Sequence, residues 1–572
     1  MRQPAADTGA NHRPEARLKA AAPGRPHWVV VFLALAACFS PTGAATEIKP
    51  FPVGSEVEVH ISSYEEGACT GSFTSHQLDH ETRTTGRPAL FESNGSGIAI
   101  GDLDDDSDLD IVLAAMSGDS TVLWNHGGLK FTPQRLPHSG RAVAIVDVDA
   151  DGLADIVLSR GNLPPLLLRQ EVLESGPEFV IEAMRGVDAA AYAMDWSDLD
   201  HDGDLDLVTA SYDAELSIAG GRSSGAHRSG VVVYENVDGA FLGNKVVDSS
   251  HALALLVRDL DGDGSSEIWI GNDFLFPDVI LTYTDSGWMP RTLPRSTTMS
   301  TMGFSTADID NDGVTEIFAT DMRPTSDDPE TSAAWQPVVD SMYGGAPGQD
   351  MANALYRKDG NDGWQNEAVD LGLAATGWSW SAKFGDLDHD GLIDLYVVTG
   401  MMAVDVFPHL PGGELLEENV ALANRGGGYV PRPEWNLNSM SSGRGMSMGD
   451  LDLDGDLDIV VNNLNSPSEL FENQICGGES LEVELVSDRP VVGSVIALHT
   501  SAGTLTRELT SASGYLSGDP TTAHFGFPNS AEVLELTVSW PLGHTTTITE
   551  LAPNTHLRIE ATFVPAYEGP SR

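Results

Sequence analysis

The 572-residue sequence predicts an all-β protein, a seven-bladed β-propeller built on acidic hairpin loops and followed by a small β-rich C-terminal domain. Three observations predict it. An acidic pattern, Asp-x-Asp-x-Asp-Gly-x-x-Asp/Glu, recurs seven times; short apolar, β-branched runs flank each copy; and the copies start at residues 102, 147, 198, 259, 308, 386 and 450, with every interval above 40 residues. Such a chain is longer than one hydrophobic core usually serves, and units of that length suit four-stranded blades carrying variable insertions.

In chain order, the first feature is an N-terminus with Arg2, Arg13, Arg17, Lys19 and Arg25 against Asp7 and Glu15, followed by the apolar run Trp28 to Ala37. A membrane-spanning helix needs roughly 20 apolar residues, so this run is too short to span and fits a signal-peptide core. The run ends Leu35-Ala-Ala-Cys38, which resembles a bacterial lipobox whose Cys receives a lipid and becomes the first mature residue. Cleavage near Ala44 or Ala45 is the alternative. Either way the chain is exported: to the cell envelope or outer surface with a lipid anchor at Cys38, or secreted or periplasmic without one. The expected organisation is a signal peptide at 1–38, a linker at 39–68, the propeller at 69–476, the C-terminal domain at 477–565 and a tail at 566–572.

The seven acidic patterns carry the functional reading. Their sets are Asp102, Asp104, Asp106, Asp110; Asp147, Asp149, Asp151, Asp155; Asp198, Asp200, Asp202, Asp206; and Asp259, Asp261, Asp263, Glu267. The remaining three are Asp308, Asp310, Asp312, Glu316; Asp386, Asp388, Asp390, Asp394; and Asp450, Asp452, Asp454, Asp458. Calcium takes 6–8 oxygen ligands at about 2.3–2.6 Å, and a tight loop with carboxylates at positions 1, 3, 5 and 9 and a backbone carbonyl at position 7 supplies them. Magnesium, which demands a near-octahedral shell and keeps its water, fits less well. An EF-hand would close with Glu at position 12 between helices, whereas here strands follow, as in Ile111-Val-Leu and Ile459-Val-Val. Up to seven calcium ions are therefore expected, one per blade, with extracellular-range affinities of about 10⁻⁴–10⁻³ M. The Gly at position 6 permits a sharp turn. Loop one has Ser107 there and is expected to be the weakest site.

The ring also needs closing. Phe73-Thr-Ser-His-Gln-Leu-Asp-His80 matches Phe131-Thr-Pro-Gln-Arg-Leu-Pro-His138, the outer strand expected for the first blade, yet no acidic loop precedes it. The seventh blade ends near Leu470-Phe-Glu-Asn473 without a fourth strand, so residues 73–80 are expected to supply it. Cys69 and Cys476 then fall where other blades have a hairpin turn, and a disulfide between them is expected.

The acidic hairpins resemble FG-GAP (VCBS-type) repeats, the blades of the integrin α-subunit propeller and of many bacterial surface proteins. Residues 477–565 resemble the ASPIC/UnbV domain of the cartilage acidic protein family, on Gly514-Tyr-Leu-Ser517, His524-Phe-Gly526 and Ser539-Trp-Pro-Leu-Gly543. Val492-Gly-Ser-Val495 departs from the Gly-x-Gly-Ala stretch common there. The resemblance implies architecture and compartment more than activity, and His524 and Trp540 read as packing residues.

A net charge of −54, from 85 acidic against 31 basic residues, excludes a nucleic-acid partner. Gly445-Met-Ser-Met-Gly449 has the spelling of a hydrolase elbow, but Ser447 lies in a strand entering an acidic loop, where that motif needs a strand turning into a helix. Among the function classes, a surface binding, adhesion or scaffold protein with a protein or glycan ligand is expected, not an enzyme; a polysaccharide-binding or polysaccharide-active propeller is the alternative. Trp335, Tyr343 and Trp435 either stack on sugars or cover the blades.

Overall fold

Each acidic loop joins two short strands, and the second of these is buried along its whole length in all seven copies: Asp110–Leu113, Asp155–Leu158, Asp206–Ala210, Glu267–Asn272, Glu316–Ala319, Asp394–Thr399 and Asp458–Asn463. Continuous Ile, Val and Leu at these positions suit strands covered on both faces. A third and a fourth strand complete each sheet, in sequence order in the first six. The computed structural model describes residues 47–48 and 56–563 apart from 65–66, 85, 87, 174–175, 221–228, 238, 275, 343–347 and 361–362. Cys38, the cleavage alternatives at Ala44 and Ala45, Tyr343 and the 566–572 tail lie outside them. The fold is 48% strand and 6% helix.

The first strands of the seven sheets are Ile98–Gly101, Val143–Val146, Ala193–Ser197, Ala252–Arg258, Phe304–Ala307, Gly377–Gly385 and Gly443–Gly449. The first touches the second, and contacts run in order from the third through the seventh, which touches the first again. Between the second and third sheets, Ser159 Oγ donates to Tyr192 O at 2.7 Å and Gly161 N to Ala191 O at 2.8 Å. The fourth strand of the seventh sheet is Thr74–Glu81, paired antiparallel with Pro467–Glu472, as the Phe73–His80 match anticipates. Cys69 and Cys476 form a disulfide beside this pairing, with Cα atoms 5.4 Å apart.

Two further sheets form the C-terminal domain around Leu481, Phe525, Leu536, Trp540, Ile548 and Leu557. Here the linker expectation is corrected. Glu56–Ser63 pairs along its full length with Thr555–Thr562, and Val57 and Val59 pack on the domain core. The alternation Glu-Val-Glu-Val-His-Ile is itself a strand signal, and it covers a sheet edge that would otherwise stay open.

The long segment between the second and third strands of the fifth sheet, rich in the Pro and Gly that commonly mark loops, contains the helix α2, Pro329–Met342. Its Trp335 is 1% exposed, stacks on Trp378 at 5.8 Å and donates through Nε1 to Glu417 Oε1 at 3.3 Å. Trp435 is also buried. Both tryptophans cover the sheets, so neither is an exposed platform for sugars.

A hairpin finger from the C-terminal domain, Ala512–Ser513 with Ser517–Gly518, enters the space where the first strands converge. Gly514 N donates to Phe304 O, Val143 N to Leu516 O at 3.3 Å, and Met446 N to Ser517 Oγ at 3.1 Å. Trp196 N donates to Ser511 Oγ at 3.0 Å, Tyr515 N to Ser381 Oγ at 3.1 Å, and Ile98 N to Ser517 Oγ at 3.4 Å. Leu253 and Ala254 line the same small gap as Ala512 and Gly514, so all seven sheets meet the finger. Gly97 must stay bare here, because a Cβ on it would lie 1.7 Å from Leu516 O. Tyr515 is fully buried against Trp380, ring centroids 5.0 Å apart, with its hydroxyl 2.8 Å from that of Tyr192. Arg444 stacks on the same indole at 4.3 Å and donates to Ser93 O and Gly443 O, both at 2.7 Å.

Truncating Tyr515→Ala should lower the unfolding free energy by about 3–5 kcal/mol, the usual range for losing a large buried aromatic. Urea unfolding measures it, and an unchanged midpoint would show that the finger is not seated. Replacing Cys69 and Cys476 by Ser should remove about 2–5 kcal/mol in the same assay, with no loss under reducing conditions, where the native chain should match the variant.

Candidate metal centre

Within each acidic loop the first Asp folds the backbone around itself. In loop two, Asp147 Oδ1 accepts from Asp151 N at 3.2 Å and its Oδ2 from Gly152 N at 2.9 Å; in loop seven the matching bonds run from Asp454 N at 3.1 Å and Gly455 N at 2.7 Å to Asp450. The closing residue pins the start of the loop, with Asp155 Oδ2 accepting from Val148 N at 3.3 Å and Asp458 Oδ2 from Leu451 N at 3.1 Å. Position 6 takes a positive φ throughout, including Ser107 at 75° beside glycines such as Gly152 at 88° and Gly455 at 91°. Ser107 N still donates to Asp102 Oδ2 at 2.9 Å, so the expected strain is present while the loop keeps its form. Position 4 is left-handed as well, at Asp105, Ala150, His201, Asn311, His389 and Leu453. Gly262 and the αL-tolerant Asp105, His201, Asn311 and His389 carried a signal for it in the sequence, which Ala150 and Leu453 interrupt.

The result is a set of converging carboxylates. Oxygens of Asp102, Asp104 and Asp110 lie within 4.8 Å of one another, as do those of Asp147, Asp149 and Asp155, of Asp198, Asp200 and Asp206, and of Asp308, Asp310 and Glu316. In loop four the gathered set is Asp259, Asp261 and Asp263. Burial raises all seven closing carboxylates, pushing Asp110 up to about 8, Asp155 and Glu316 to about 7 and Asp206 to about 6, with Glu267, Asp394 and Asp458 raised too. Buried acids in this arrangement need a counter-charge to stay ionised. Asp104 Oδ1 and Asp388 Oδ1 are buried with no hydrogen-bond donor, so these loops fit a hard cation with ligand atoms to spare.

The closing carboxylate also ties the loops to the ring. In five sheets its other oxygen accepts from the backbone of an Asn or Gln at the end of the third strand: Asn125, Gln170, Asn236, Asn424 and Asn473, at 2.7 to 2.9 Å. The side-chain amide of that residue reaches the preceding sheet and donates to the position-2 carbonyl of its acidic loop. Asn424 meets Ile309 O at 2.8 Å, Asn473 meets Leu387 O at 3.1 Å, and Asn125 meets Leu451 O at 2.8 Å, which joins the first sheet to the seventh. Gln170 and Asn236 make the same link to Leu103 O and Val148 O. Tyr283 and Lys358 hold the corresponding positions in sheets four and five, so the amide link is missing there.

The C-terminal domain sits at the loop end of the sheets. His524 Nε2 lies 2.9 Å from Gly455 O, Arg489 donates to Gly203 O at 3.2 Å, and Arg558 lies 2.5 Å from Asp105. His524 thus joins domain to loop, while Trp540 is packed in the domain core and donates to Thr546 Oγ1 at 2.8 Å. A cleft of about 500 Å³ remains between loops one and two and this domain, bordered by Asp102, Asp147, Glu484, Arg489 and Arg558. Ser447 is buried mid-strand and donates to Gly518 O at 3.0 Å, which leaves it no part in an elbow.

Comparison with known proteins supplies the family context. A family model of the FG-GAP-like repeat matches residues 102–158, covering loops one and two, and that of ASPIC and UnbV matches residues 485–563. The chain carries an FG-GAP-like repeat and an ASPIC/UnbV domain. The finger belongs to the ASPIC/UnbV domain, whose Gly514-Tyr-Leu-Ser517 motif forms its tip. FG-GAP-like repeats are typical of extracellular proteins, and no helix among the described residues is long and apolar enough to cross a membrane. No curated protein matches the chain. Among solved structures it is similar to BBS1N in complex with ARL6DN, at 10% identity over 67% of this chain and 94% of that one, TM-score 0.39. It is also similar to the Bacillus licheniformis rhamnogalacturonan lyase PL11, at 12% identity over 71% and 76%, TM-score 0.35, and to the V. cholerae biofilm matrix protein Bap1, at 10% over 85% and 72%, TM-score 0.30.

Replacing Asn125 by Ala leaves Leu451 O and Leu109 O without their donor in a buried site. The change should cost about 1–3 kcal/mol in urea unfolding; an effect below 0.5 kcal/mol, the scatter about expected of a surface substitution, would remove the amide link as a source of ring stability.

Proposed function

We propose that the chain is an exported, calcium-stabilised seven-bladed β-propeller that binds a protein or glycan ligand at the cell envelope or outer surface, held there by a lipid on Cys38. The observation that carries the reading is the repeated loop, in which the same hydrogen bonds gather carboxylates around one point in sheet after sheet. Calcium suits that point by ligand type and number. The succession of first strands that returns to its start supports the ring of blades.

Strand direction suggests where a ligand docks. The acidic loops join first to second strands and the C-terminal domain covers that end, so connections from second to third strands emerge at the other end. Those connections hold the longest insertions, with the helix α1, Asp213–Gly220, in sheet three and α2 in the fifth. Phe276, 45% exposed and stacked on His251 at 3.8 Å, and Leu416, 56% exposed, offer apolar contacts at that end. Rigid scaffolds commonly present binding groups on such loops. Binding is favoured over catalysis because Tyr515 and Arg444 fill the centre of the ring, where a propeller enzyme would have its channel.

Chelation tests the reading. With EDTA the melting temperature of the mature protein should fall and return on adding calcium, since each site at ten times its Kd contributes about 1.4 kcal/mol. An unchanged melting temperature with no calcium bound would exclude the metal. Glycan and envelope-protein arrays probed with and without chelator should then give calcium-dependent binding, weakened by Phe276→Ser; binding that ignores both would place the ligand elsewhere.

A further inference from the structure

The seven loops are not equivalent, and the difference follows the closing residue. Five close with Asp, whose second oxygen takes a neutral backbone N–H from an Asn or Gln on the third strand. Two close with Glu, and in these an arginine from the same sheet enters the cage. In loop five, Arg357 lies 2.6 Å from Asp310, 3.8 Å from Asp312 and, through Nε, 3.2 Å from Glu316 Oε1, so one guanidinium meets three of the four acids. In loop four, Arg291 lies 2.6 Å from Asp261 and 3.4 Å from Glu267. The oxygens gathered there exclude Glu267, whose Oε1 also accepts from Thr282 at 2.9 Å. These are the two sheets that lack the amide link, so the closing acid, the third-strand residue and the arginine change together.

We infer that Arg291 and Arg357 stand in for the metal ion in loops four and five, and that the chain takes five calcium ions, not seven. The inference rests on the calcium reading above. A guanidinium is permanently charged and, once bound to the cage oxygens, both occupies their lone pairs and repels a divalent cation. Glutamate suits this arrangement because its extra methylene lets the carboxylate swing toward the arginine while Oε2 keeps the loop-start bond, from Leu260 N at 2.9 Å and Ile309 N at 3.1 Å.

Arginines touching the other loops are placed differently. Arg425 bonds Asp388 and Asp390 through their Oδ2 atoms, and Arg558 bonds Asp105 and approaches Asp102 at 3.8 Å. Neither is paired with the closing carboxylate, Asp394 or Asp110, which keeps its neutral backbone donor from Asn424 or Asn125, whereas Arg291 and Arg357 both reach the closing Glu. Such guanidiniums sit on the outside of a cage and leave its interior to the cation.

The test is metal stoichiometry of the full mature chain after equilibrium dialysis against excess calcium, read by mass spectrometry of the metal. The native chain should hold five ions, the Arg291→Met/Arg357→Met double variant seven, and the charge-keeping Arg291→Lys/Arg357→Lys variant five. Seven ions on the native chain, or the same count with and without the arginines, overturns the inference while leaving the calcium reading intact. No bound calcium in any form overturns both. If the Met variant does not fold, the native count alone decides between five and seven.

Discussion

The structure depends on one carboxylate per sheet, the residue that closes each acidic loop. It lies at the start of a fully buried strand, accepts from the loop's own backbone through one oxygen and, in five sheets, from the third strand through the other. A single side chain therefore fixes the loop, the strand pairing and the position of the amide that reaches the preceding sheet. Its burial is what makes a counter-charge necessary. A neutral amide there would release the charge problem, but it would replace one of the two acceptor oxygens by a donor and so lose the bond to the loop start or to the third strand.

The C-terminal domain is joined to this framework at its centre and at its rim. The finger bonds to first strands that are far apart in sequence, and His524, Arg489 and Arg558 grip individual loops. Residues 56–63 and 69–81, from before the first loop, complete the C-terminal sheet and the seventh sheet respectively. Ends of the chain thus stitch together parts made by its middle, and the Cys69–Cys476 disulfide lies at that seam.

What was legible in the sequence was local. Carboxylates at i, i+2, i+4 and i+8 define a loop without reference to anything distant, and β-branched runs such as Ile111-Val-Leu give the strands that leave it. The closing strand was readable because Phe73 to His80 repeats a signature already present at Phe131 to His138. The finger was not, since Gly514-Tyr-Leu-Ser517 has no periodicity and its hydrogen-bond partners on the first strands lie between 71 and 419 residues away, from Met446 to Ile98. The helix α2 was hidden by Pro324, Pro329 and the Gly344-Gly-Ala-Pro stretch, which read as loop residues, although Pro329 is the first residue of the helix, where a proline is tolerated. The pairing of Glu56–Ser63 was not legible, because its partner strand Thr555–Thr562 lies at the far end of the C-terminal domain and nothing local to either strand points to the other. The arginines of loops four and five sit on the third and fourth strands, so their meeting with Glu316 and Glu267 required the fold.

The claim beneath this account is that divalent cations sit inside acidic hairpin loops. A crystal structure of the mature protein grown with calcium, with anomalous data, tests it directly. Anomalous peaks are expected in the Asp-closed loops, about 2.3–2.6 Å from carboxylate oxygens at positions 1, 3, 5 and 9. Loops ordered as described here but holding only water would contradict it.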